Sequence, residues 1–383
     1  MDWKNLKNIY GLKNISKIGV AHISGYAISS LFWLYLADIL GEESYGKLGF
    51  FIGIAGIASA ISLLGGQHSI TVYVAKAIKI QPPIFLLSIL TSIVAGVILL
   101  VSFSNIGLTF YVVGYVIFNL TMAELLGRKF YNLYSKYFLL QKILLVVISL
   151  LLLTLLDDIL GIILGIGLSF LPLSYIMYKS LKGKKIEFEN IKSKFGFIMN
   201  NYILDLGSAS NANIDKLLIG PLLGFAVLGN YYLSLQFLAI LGILPGIIFK
   251  YTLPEDSSKG NSTYFVKKLT VILSIGLALI GIFLFPYLIE QFFPEYTHSK
   301  DFIVIMSLAI IPQTIQNMSV SSLLGKEKSR YVLIARGVWF AVFVSGIFLL
   351  GEFSNNMGLA ISFFIASCIS AMVTTLTNYR LKS

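Results

Sequence analysis

The sequence has few of the residues from which soluble active sites are usually built. Its 383 residues include one cysteine, three histidines and 12% charged residues, against 57% hydrophobic residues. One cysteine excludes an internal disulfide, and three scattered histidines predict no metal site. The chain also lacks a Walker loop, which argues against direct use of ATP. Soluble domains carry about twice this share of charged residues, so a single soluble core is excluded and a polytopic membrane protein is predicted.

Long apolar runs are the dominant feature of the sequence. A helix crosses the hydrocarbon core in about 20 residues, and we count twelve runs of about that length or more. Two splits are tight, at Asp157-Asp158 and at Gly220-Pro221-Leu222. The predicted fold class is therefore all-α, a polytopic membrane protein with twelve transmembrane helices. The runs are 18–38, 48–72, 82–103, 107–126, 137–156, 159–178, 195–219, 223–250, 266–289, 302–324, 331–351 and 356–379.

The distribution of charge supports this count. The formal net charge is +11, but the basic residues lie at the ends of apolar runs and not on one soluble face, so no nucleic-acid partner is predicted. With the N-terminus inside, all 29 basic residues except Lys47, Lys216 and Lys300 fall on the cytoplasmic side. We predict a multi-pass protein of the cell membrane, embedded in the lipid bilayer, with both termini cytoplasmic.

Three short segments of the first half recur in order in the second half. The pairs are 40–48 with 223–231, 119–128 with 317–326, and 135–142 with 329–336. Both halves start inside and hold an even number of spans, so the repeat is parallel, as in transporters that rock two lobes about a central site. The predicted organisation is a six-helix lobe (1–180), a cytoplasmic linker (181–194) and a second six-helix lobe (195–383).

Run 7 is the most polar of the twelve runs, and polar groups within a bilayer mark functional sites or helix contacts. Its polar stripe consists of Asn201, Asp205, Ser208 and Asp215, with Asn211 at the edge. Run 1 is the repeat partner of run 7, and His22, Tyr26 and Ser29 share one of its faces. We expect the two stripes to line a shared substrate cavity; the alternative is hydrogen bonding between neighbouring helices.

Asp205 is the predicted coupling residue. A carboxylate in a cleft can carry a proton because desolvation raises its pKa, and it can equally bind Na⁺, so the coupling ion is expected to be H⁺ or Na⁺. No other cofactor is predicted. Asp215 is adjacent to Lys216 near the outer surface, and a local ion pair is as reasonable there as substrate contact.

Basic residues also recur in the repeat. Arginine and lysine suit phosphate, so these cations are candidate ligands for a pyrophosphate headgroup. The alternative is plain anchoring of helix ends at the cytoplasmic interface. The four residues are Arg128 and Lys142 in the first half, and Lys326 and Arg336 in the second.

Several motifs carry a family resemblance. The segment 213–231, the loop 40–46, Phe293-Pro294-Glu295-Tyr296 and Leu324-Gly325-Lys326 resemble landmarks of polysaccharide flippases in the multidrug/oligosaccharidyl-lipid/polysaccharide (MOP) exporter superfamily. The resemblance spans nearly the whole chain. It implies a V-shaped, two-lobed fold with a central cavity, lined by Asp205, Asn211 and Asp215 from one lobe and by His22 and Tyr26 from the other.

The resemblance also implies a function. A non-enzymatic transporter is expected, which flips a polyprenyl-pyrophosphate-linked oligosaccharide from the inner to the outer leaflet by alternating access. Expected partners are this lipid-linked substrate and polysaccharide assembly proteins. The main alternative is a cation-coupled multidrug exporter of the same fold, and a membrane glycosyltransferase or a scaffold ranks lower.

Overall fold

The computed structural model describes residues 10–156, 158–183, 186–257, 263–296, 298–326 and 328–381, so Asp157 and parts of the predicted termini and linker lie outside it. The described chain is helical, with short connections and no strand among these residues. The α-helices are α1 (Tyr10–Leu63), α2 (Gly66–Ala75), α3 (Gln81–Phe103), α4 (Ile106–Gly127), α5 (Tyr131–Leu156), α6 (Ile159–Ser169), α7 (Ser174–Leu181), α8 (Glu189–Leu223), α9 (Phe225–Ser257), α10 (Tyr264–Phe292), α11 (Ser299–Leu308), α12 (Ile310–Gly325) and α13 (Ser329–Arg380).

The two longest helices each supply two membrane spans. Helix α1 is interrupted at Gly41, whose φ of 70° and ψ of 170° are not helical. Helix α13 has 52 residues, or about 78 Å if straight, yet a Cβ on Gly346 would lie 2.4 Å from the Ser362 hydroxyl. Residues sixteen positions apart can meet only if the helix turns back on itself, so α13 crosses twice.

The predicted twelve-helix fold is confirmed. Ten described segments are long and apolar enough to cross a membrane. Dividing the first at Gly41, and adding α8, which is long enough but too polar for that set, gives the predicted twelve. Large apolar side chains such as Val101 and Phe283 project outward at more than 70% exposure, as expected for surfaces that face lipid.

Helix boundaries differ from the prediction in several places, among them run 6, which is divided into α6 and α7. Helix α8 continues through the expected Gly220-Pro221-Leu222 turn and ends at Leu223, because Gly224 takes the left-handed conformation (φ 101°) that ends it. Run 2 is broken where Leu64 and Gly65 have positive φ angles. Run 10 is broken at Ala309, three residues before Pro312, whose ring nitrogen cannot continue the helical hydrogen bonds.

The chain forms two compact units. Unit 1 contains residues 1–32 and 51–214, and unit 2 contains residues 33–50 and 215–383. Ile70, Ile84, Phe85 and Leu120 belong to the core of unit 1. Tyr231, Phe302 and Phe343 are fully buried in unit 2. The predicted lobes (1–180 and 195–383) divide the chain by its repeat, whereas these units divide it by contacts, so the lobes stay a prediction.

The glycines of the first repeat pair occupy equivalent positions in unit 2. Gly41 and Gly224, which are 183 positions apart, both have positive φ angles. A Cβ on Gly46 would lie 1.9 Å from the Phe225 carbonyl oxygen, and a Cβ on Gly229 would lie 1.8 Å from the Glu42 carbonyl oxygen. This reciprocal contact relates the two segments by a local two-fold, and it supports the parallel repeat.

The second repeat pair also ends at equivalent glycines. Gly127 ends α4 and Gly325 ends α12. Each meets backbone closely, because an added Cβ would lie 2.8 Å from the Thr71 carbonyl oxygen in one case and 2.7 Å from the Asp256 carbonyl oxygen in the other. In both units, a glycine therefore permits the end of one helix to touch the end of its neighbour.

Candidate functional site

Helix α8 supplies most of the predicted cavity residues. Its residues up to Ile214 belong to unit 1, and Asp215 belongs to unit 2. Asn201, Asp205 and Asn211 are half-buried, and Ser208 is exposed with its hydroxyl donated to the Leu204 carbonyl within the same helix. The predicted stripe is therefore divided after Asn211, and Asp205 and Asp215 have different surroundings.

Helices α2 and α8 meet along three successive contacts in unit 1. At the first, Gly65, just before α2, approaches the α8 backbone so closely that a Cβ would lie 2.5 Å from the Ile198 carbonyl oxygen. At the second, the Asn201 amide donates to the Ser69 hydroxyl at 3.3 Å. The third joins His68 and Asp205. Their spacing along α8 follows the helical repeat, so all three lie on one face of that helix.

The His68 imidazole lies beside the Asp205 carboxylate at the third contact. His68 Nε2 lies 3.4 Å from Asp205 Oδ1. The imidazole is 61% exposed, whereas the carboxylate is 16% exposed. Among the described residues, the second carboxylate oxygen, Oδ2, is buried and has no hydrogen-bond partner.

Helix α4 supplies a third residue near this pair. Tyr115 is near enough to Asp205 for the carboxylate charge to act on its phenol. The Asn119 amide donates to the Tyr115 carbonyl at 2.9 Å, which fixes the Asn119 side chain on α4.

The predicted residues of α1 lie in an aromatic cluster, also in unit 1. The His22 ring lies 4.3 Å from the Phe138 ring and 5.7 Å from the Tyr26 ring, centroid to centroid. His22 Nε2 is 3.2 Å from the Tyr134 hydroxyl, within hydrogen-bond distance. Tyr26 is about half exposed and Phe138 is buried. We call these four rings the aromatic cluster. Ser29, the third predicted residue of α1, is half-buried, and within the described part of the chain its hydroxyl has no hydrogen-bond partner.

Lys142 lies beside the aromatic cluster. Its Nζ is 5.6 Å from the centroid of the Phe138 ring, a cation–π distance. Gly25 permits this packing, since a Cβ there would lie 2.6 Å from the Phe138 ring and 3.2 Å from the Lys142 side chain. The structure therefore brings one predicted headgroup residue together with two predicted cavity residues, His22 and Tyr26.

The other predicted headgroup residues have different surroundings. Arg128 donates two hydrogen bonds to the buried Glu124 carboxylate, at 2.7 and 2.9 Å, and Ser180 on α7 donates to the same carboxylate. This arrangement favours the helix-anchoring alternative for Arg128. Lys326 and Arg336 are exposed and belong to unit 2.

Asp215 is buried at 5% exposure in unit 2. Its Oδ1 accepts from the Lys216 backbone amide at 2.8 Å and lies 3.4 Å from Lys216 Nζ, while the Tyr231 hydroxyl donates to Oδ2 at 3.1 Å. A buried carboxylate with both oxygens engaged favours the local ion pair, one of the two alternatives that the sequence leaves open.

Sequence reasoning did not assign His68, Tyr115, Tyr134 or Glu124 to a site. The acid–base spacing of Glu124 and Arg128, four positions apart on a helix, is a signal that could have found that pair. The Gly65-Gly66 dipeptide could have predicted the helix break that presents His68. Tyr115 and Tyr134 meet their partners through tertiary packing, for which the sequence carries no local signal.

The chain was compared with known proteins. No protein-family profile and no curated protein match it. Among solved structures it is similar to an inward-facing multidrug resistance MATE family transporter of the MOP superfamily, with a TM-score of 0.73 at 14% identity over 96% of this chain and 97% of the other. The outward-facing form of such a transporter gives a TM-score of 0.63 at 14% identity, over 96% and 95% of the two chains.

A MOP superfamily transporter from Pyrococcus furiosus is also similar, with a TM-score of 0.65 at 15% identity over 96% of this chain and 95% of the other. That protein is described as having a binding pocket of reverse polarity, which suggests a different function for it. At such identities the likeness concerns the fold. The chain is a multi-pass membrane protein with the fold of MATE transporters of the MOP superfamily.

Proposed function

We propose that this protein is a transporter of the cell membrane that flips a polyprenyl-(pyro)phosphate-linked oligosaccharide from the inner to the outer leaflet. It works by alternating access, without enzymatic activity, and serves surface polysaccharide biosynthesis. Both termini are cytoplasmic in this proposal, as the distribution of basic residues predicts. Partners are the lipid-linked substrate, the bilayer and the proteins that assemble the polysaccharide.

The aromatic cluster beside Lys142 is the observation that supports this cargo. Sugars bind to aromatic faces and to hydrogen-bonding groups, and His22, Tyr26 and Tyr134 offer both. The Lys142 ammonium, at the edge of the same cluster, offers a positive charge to a phosphate. An organic cation would be repelled by that ammonium, which disfavours a multidrug exporter at this position.

A cation-coupled multidrug exporter is the second candidate. It is supported by the multidrug MATE transporters among the similar structures and by the Asp205 carboxylate, which is the type of group that binds organic cations. In either function a cation, H⁺ or Na⁺, drives transport through Asp205.

Deletion of the gene in its host, followed by mass spectrometry of polyprenyl-linked saccharides, separates the two functions. The flippase predicts accumulation of a lipid-linked glycan together with loss of the surface glycan. Unchanged lipid-linked glycans with new sensitivity to cationic compounds would favour the multidrug exporter and contradict the flippase.

Complementation of the deletion then tests the role of Lys142 beside the aromatic cluster. Lys142→Gln is expected to restore surface glycan poorly, because the neutral amide cannot attract a phosphate. Lys136→Gln is the matched control, since Lys136 is an exposed lysine on the same helix, and it is expected to restore glycan fully. Equal restoration by both variants, at equal protein levels, would contradict the role of Lys142.

A further inference from the structure

The contact between α2 and α8 contains a titratable pair that has properties of an ion-binding site. The Asp205 side chain is 16% exposed, and one of its oxygens has no hydrogen-bond partner among the described residues. A desolvated carboxylate with an unused oxygen is costly unless a cation or a proton compensates it. Its neighbour His68 is mostly exposed and therefore able to exchange protons with water.

The surroundings of Asp205 suit a proton better than Na⁺. Hard cations such as Na⁺ require several oxygen ligands, whereas the cationic partner that the structure gives to this carboxylate is an imidazole nitrogen at 3.4 Å. Two described titratable groups interact with Asp205, His68 from α2 and Tyr115 from α4. When it is protonated, the His68 imidazole occupies the place of a cation beside Oδ1.

We propose that the His68–Asp205 pair is the proton-binding site that couples transport in this protein. This names H⁺ as the coupling ion of the proposed transporter, and it rests on that proposed function. The pair binds one proton at His68 Nε2. The imidazolium then donates a charge-assisted hydrogen bond to Asp205 Oδ1, and release of the proton leaves a neutral imidazole beside the carboxylate.

Proton binding also changes the contact between the two helices. The His68–Asp205 bond lies one turn from the Asn201–Ser69 hydrogen bond, and both connect α2 to α8. A charge-assisted hydrogen bond is about twice as strong as a neutral one, so the protonated pair holds the helices together more firmly. Loss of the proton weakens the contact on the helix that carries most of the predicted cavity residues. Proton binding at the pair is thereby coupled to the helix that carries the residues proposed to contact the substrate.

Nuclear magnetic resonance of isotope-labelled histidine in nanodiscs tests the site directly. The chain has only three histidines, so His22→Gln and His298→Gln variants assign the signals. The His68 signal is expected to titrate between about pH 5 and 8. In Asp205→Asn its midpoint is expected to fall by about one pH unit, because the carboxylate that favours the imidazolium is gone. An unchanged midpoint would contradict the pair.

Hydrogen–deuterium exchange tests the link to the helix contact. In the wild type, protection of the peptides covering α2 and residues 198–205 is expected to fall as pH rises through the His68 titration. His68→Gln and Asp205→Asn are expected to remove this pH dependence, and Glu43→Gln, which alters an exposed ion pair with Lys47, is the control that keeps it. Protection that is independent of pH in the wild type would overturn the coupling of the proton to this contact.

A change of salt tests whether Na⁺ binds at the His68–Asp205 pair. Replacing potassium with sodium at constant ionic strength is expected to leave the His68 signal and the exchange pattern unchanged. A sodium-specific change that Asp205→Asn abolishes would overturn the assignment of the ion. These readouts use no substrate, so their failure is distinct from that of the flippase, which is judged by the lipid-linked glycans.

Discussion

At the scale of single residues, the structure separates charges that hold the protein together from charges that the proposed function can use. Arg128 is bound by Glu124, and Lys216 lies beside Asp215. Lys142 lies against an aromatic ring, and one oxygen of Asp205 has no hydrogen-bond partner among the described residues. The functional proposals therefore use Lys142 and His68–Asp205, and assign structural roles to the other two pairs.

Glu124→Ala is predicted to destabilise unit 1. Glu124 is 3% exposed and accepts hydrogen bonds from Arg128 and Ser180, so its removal leaves these donors without their partner. Breaking a buried pair of this kind costs about 3 kcal/mol. The measurement is the unfolding temperature in detergent. Glu43→Ala is the control, because the exposed Glu43–Lys47 pair contributes about 0–1 kcal/mol, and equal losses in the two variants would contradict the prediction.

Asp256 gives unit 2 a predicted dependence on acid. Asp256 lies beyond the apolar span of α9; burial opposes its charge, but hydrogen bonds from Lys267, Ser321 and Thr263 outweigh burial and lower the pKa of its carboxyl. A lowered pKa stabilises the folded state above the unfolded value of about 3.9, and that stability is lost as pH falls through the folded value.

The comparison of Asp256→Asn with the wild type tests this dependence. The wild type is expected to unfold at a higher temperature than the variant near neutral pH, and the difference is expected to shrink as pH falls below about 4. A difference that stays constant down to the most acidic pH at which the protein remains folded would show that the Asp256 charge does not stabilise unit 2.

The sequence offers candidate functional residues, but it does not predict which residues meet in the fold. Asp205, His22 and Lys142 could be chosen because polar groups are rare in apolar runs. The partner of Asp205 could not, because His68 lies more than a hundred positions away and reaches it only through a helix break at Leu64 and Gly65. Likewise, no pattern predicts that Tyr134 meets His22.

At the scale of helices, the apolar runs predict the membrane spans, whereas a residue in the left-handed conformation or a proline sets where a helix ends. All twelve predicted runs correspond to helical segments, because twenty apolar residues suffice to cross a bilayer whatever their contacts. The boundaries at Leu223, Ala309 and Leu63 were missed, since a left-handed residue or a proline terminates a helix without making the surrounding run less apolar. Helix α8 is the opposite case. It is long enough to cross the membrane, but its polar stripe makes it too polar to be recognised as an apolar segment.

Gly46→Ala is predicted to disrupt the two-fold contact between the repeats. The added methyl group would lie 1.9 Å from the Phe225 carbonyl oxygen, so the backbones of two helical segments would have to separate. Overpacking of this kind costs about 1–3 kcal/mol. Gly242→Ala is the matched control, because no atom of the described residues lies within 4 Å of a Cβ there and alanine favours the helix. The yield and unfolding temperature of the two variants are compared, and equal values would contradict the two-fold contact.

At the scale of the whole molecule, the fold is that of MATE transporters, and the cargo is inferred from the chemistry of one unit. The parallel repeat was readable from three short matches, and the paired glycines at 41 and 224 and at 46 and 229 give it a structural reason. The cargo is not readable in this way, since one fold serves multidrug export and, by our proposal, glycolipid flipping.

The accessibility of the lipid-linked glycan to an added glycosidase shows whether this protein flips that glycan to the outer leaflet. Right-side-out vesicles are prepared from the deletion strain carrying the wild-type gene, the Lys142→Gln variant or an empty vector. The account predicts cleavage of the glycan with the wild type, and protection with the empty vector and with Lys142→Gln, because the glycan then stays in the inner leaflet. Equal cleavage in wild-type and empty-vector vesicles would contradict the flippase.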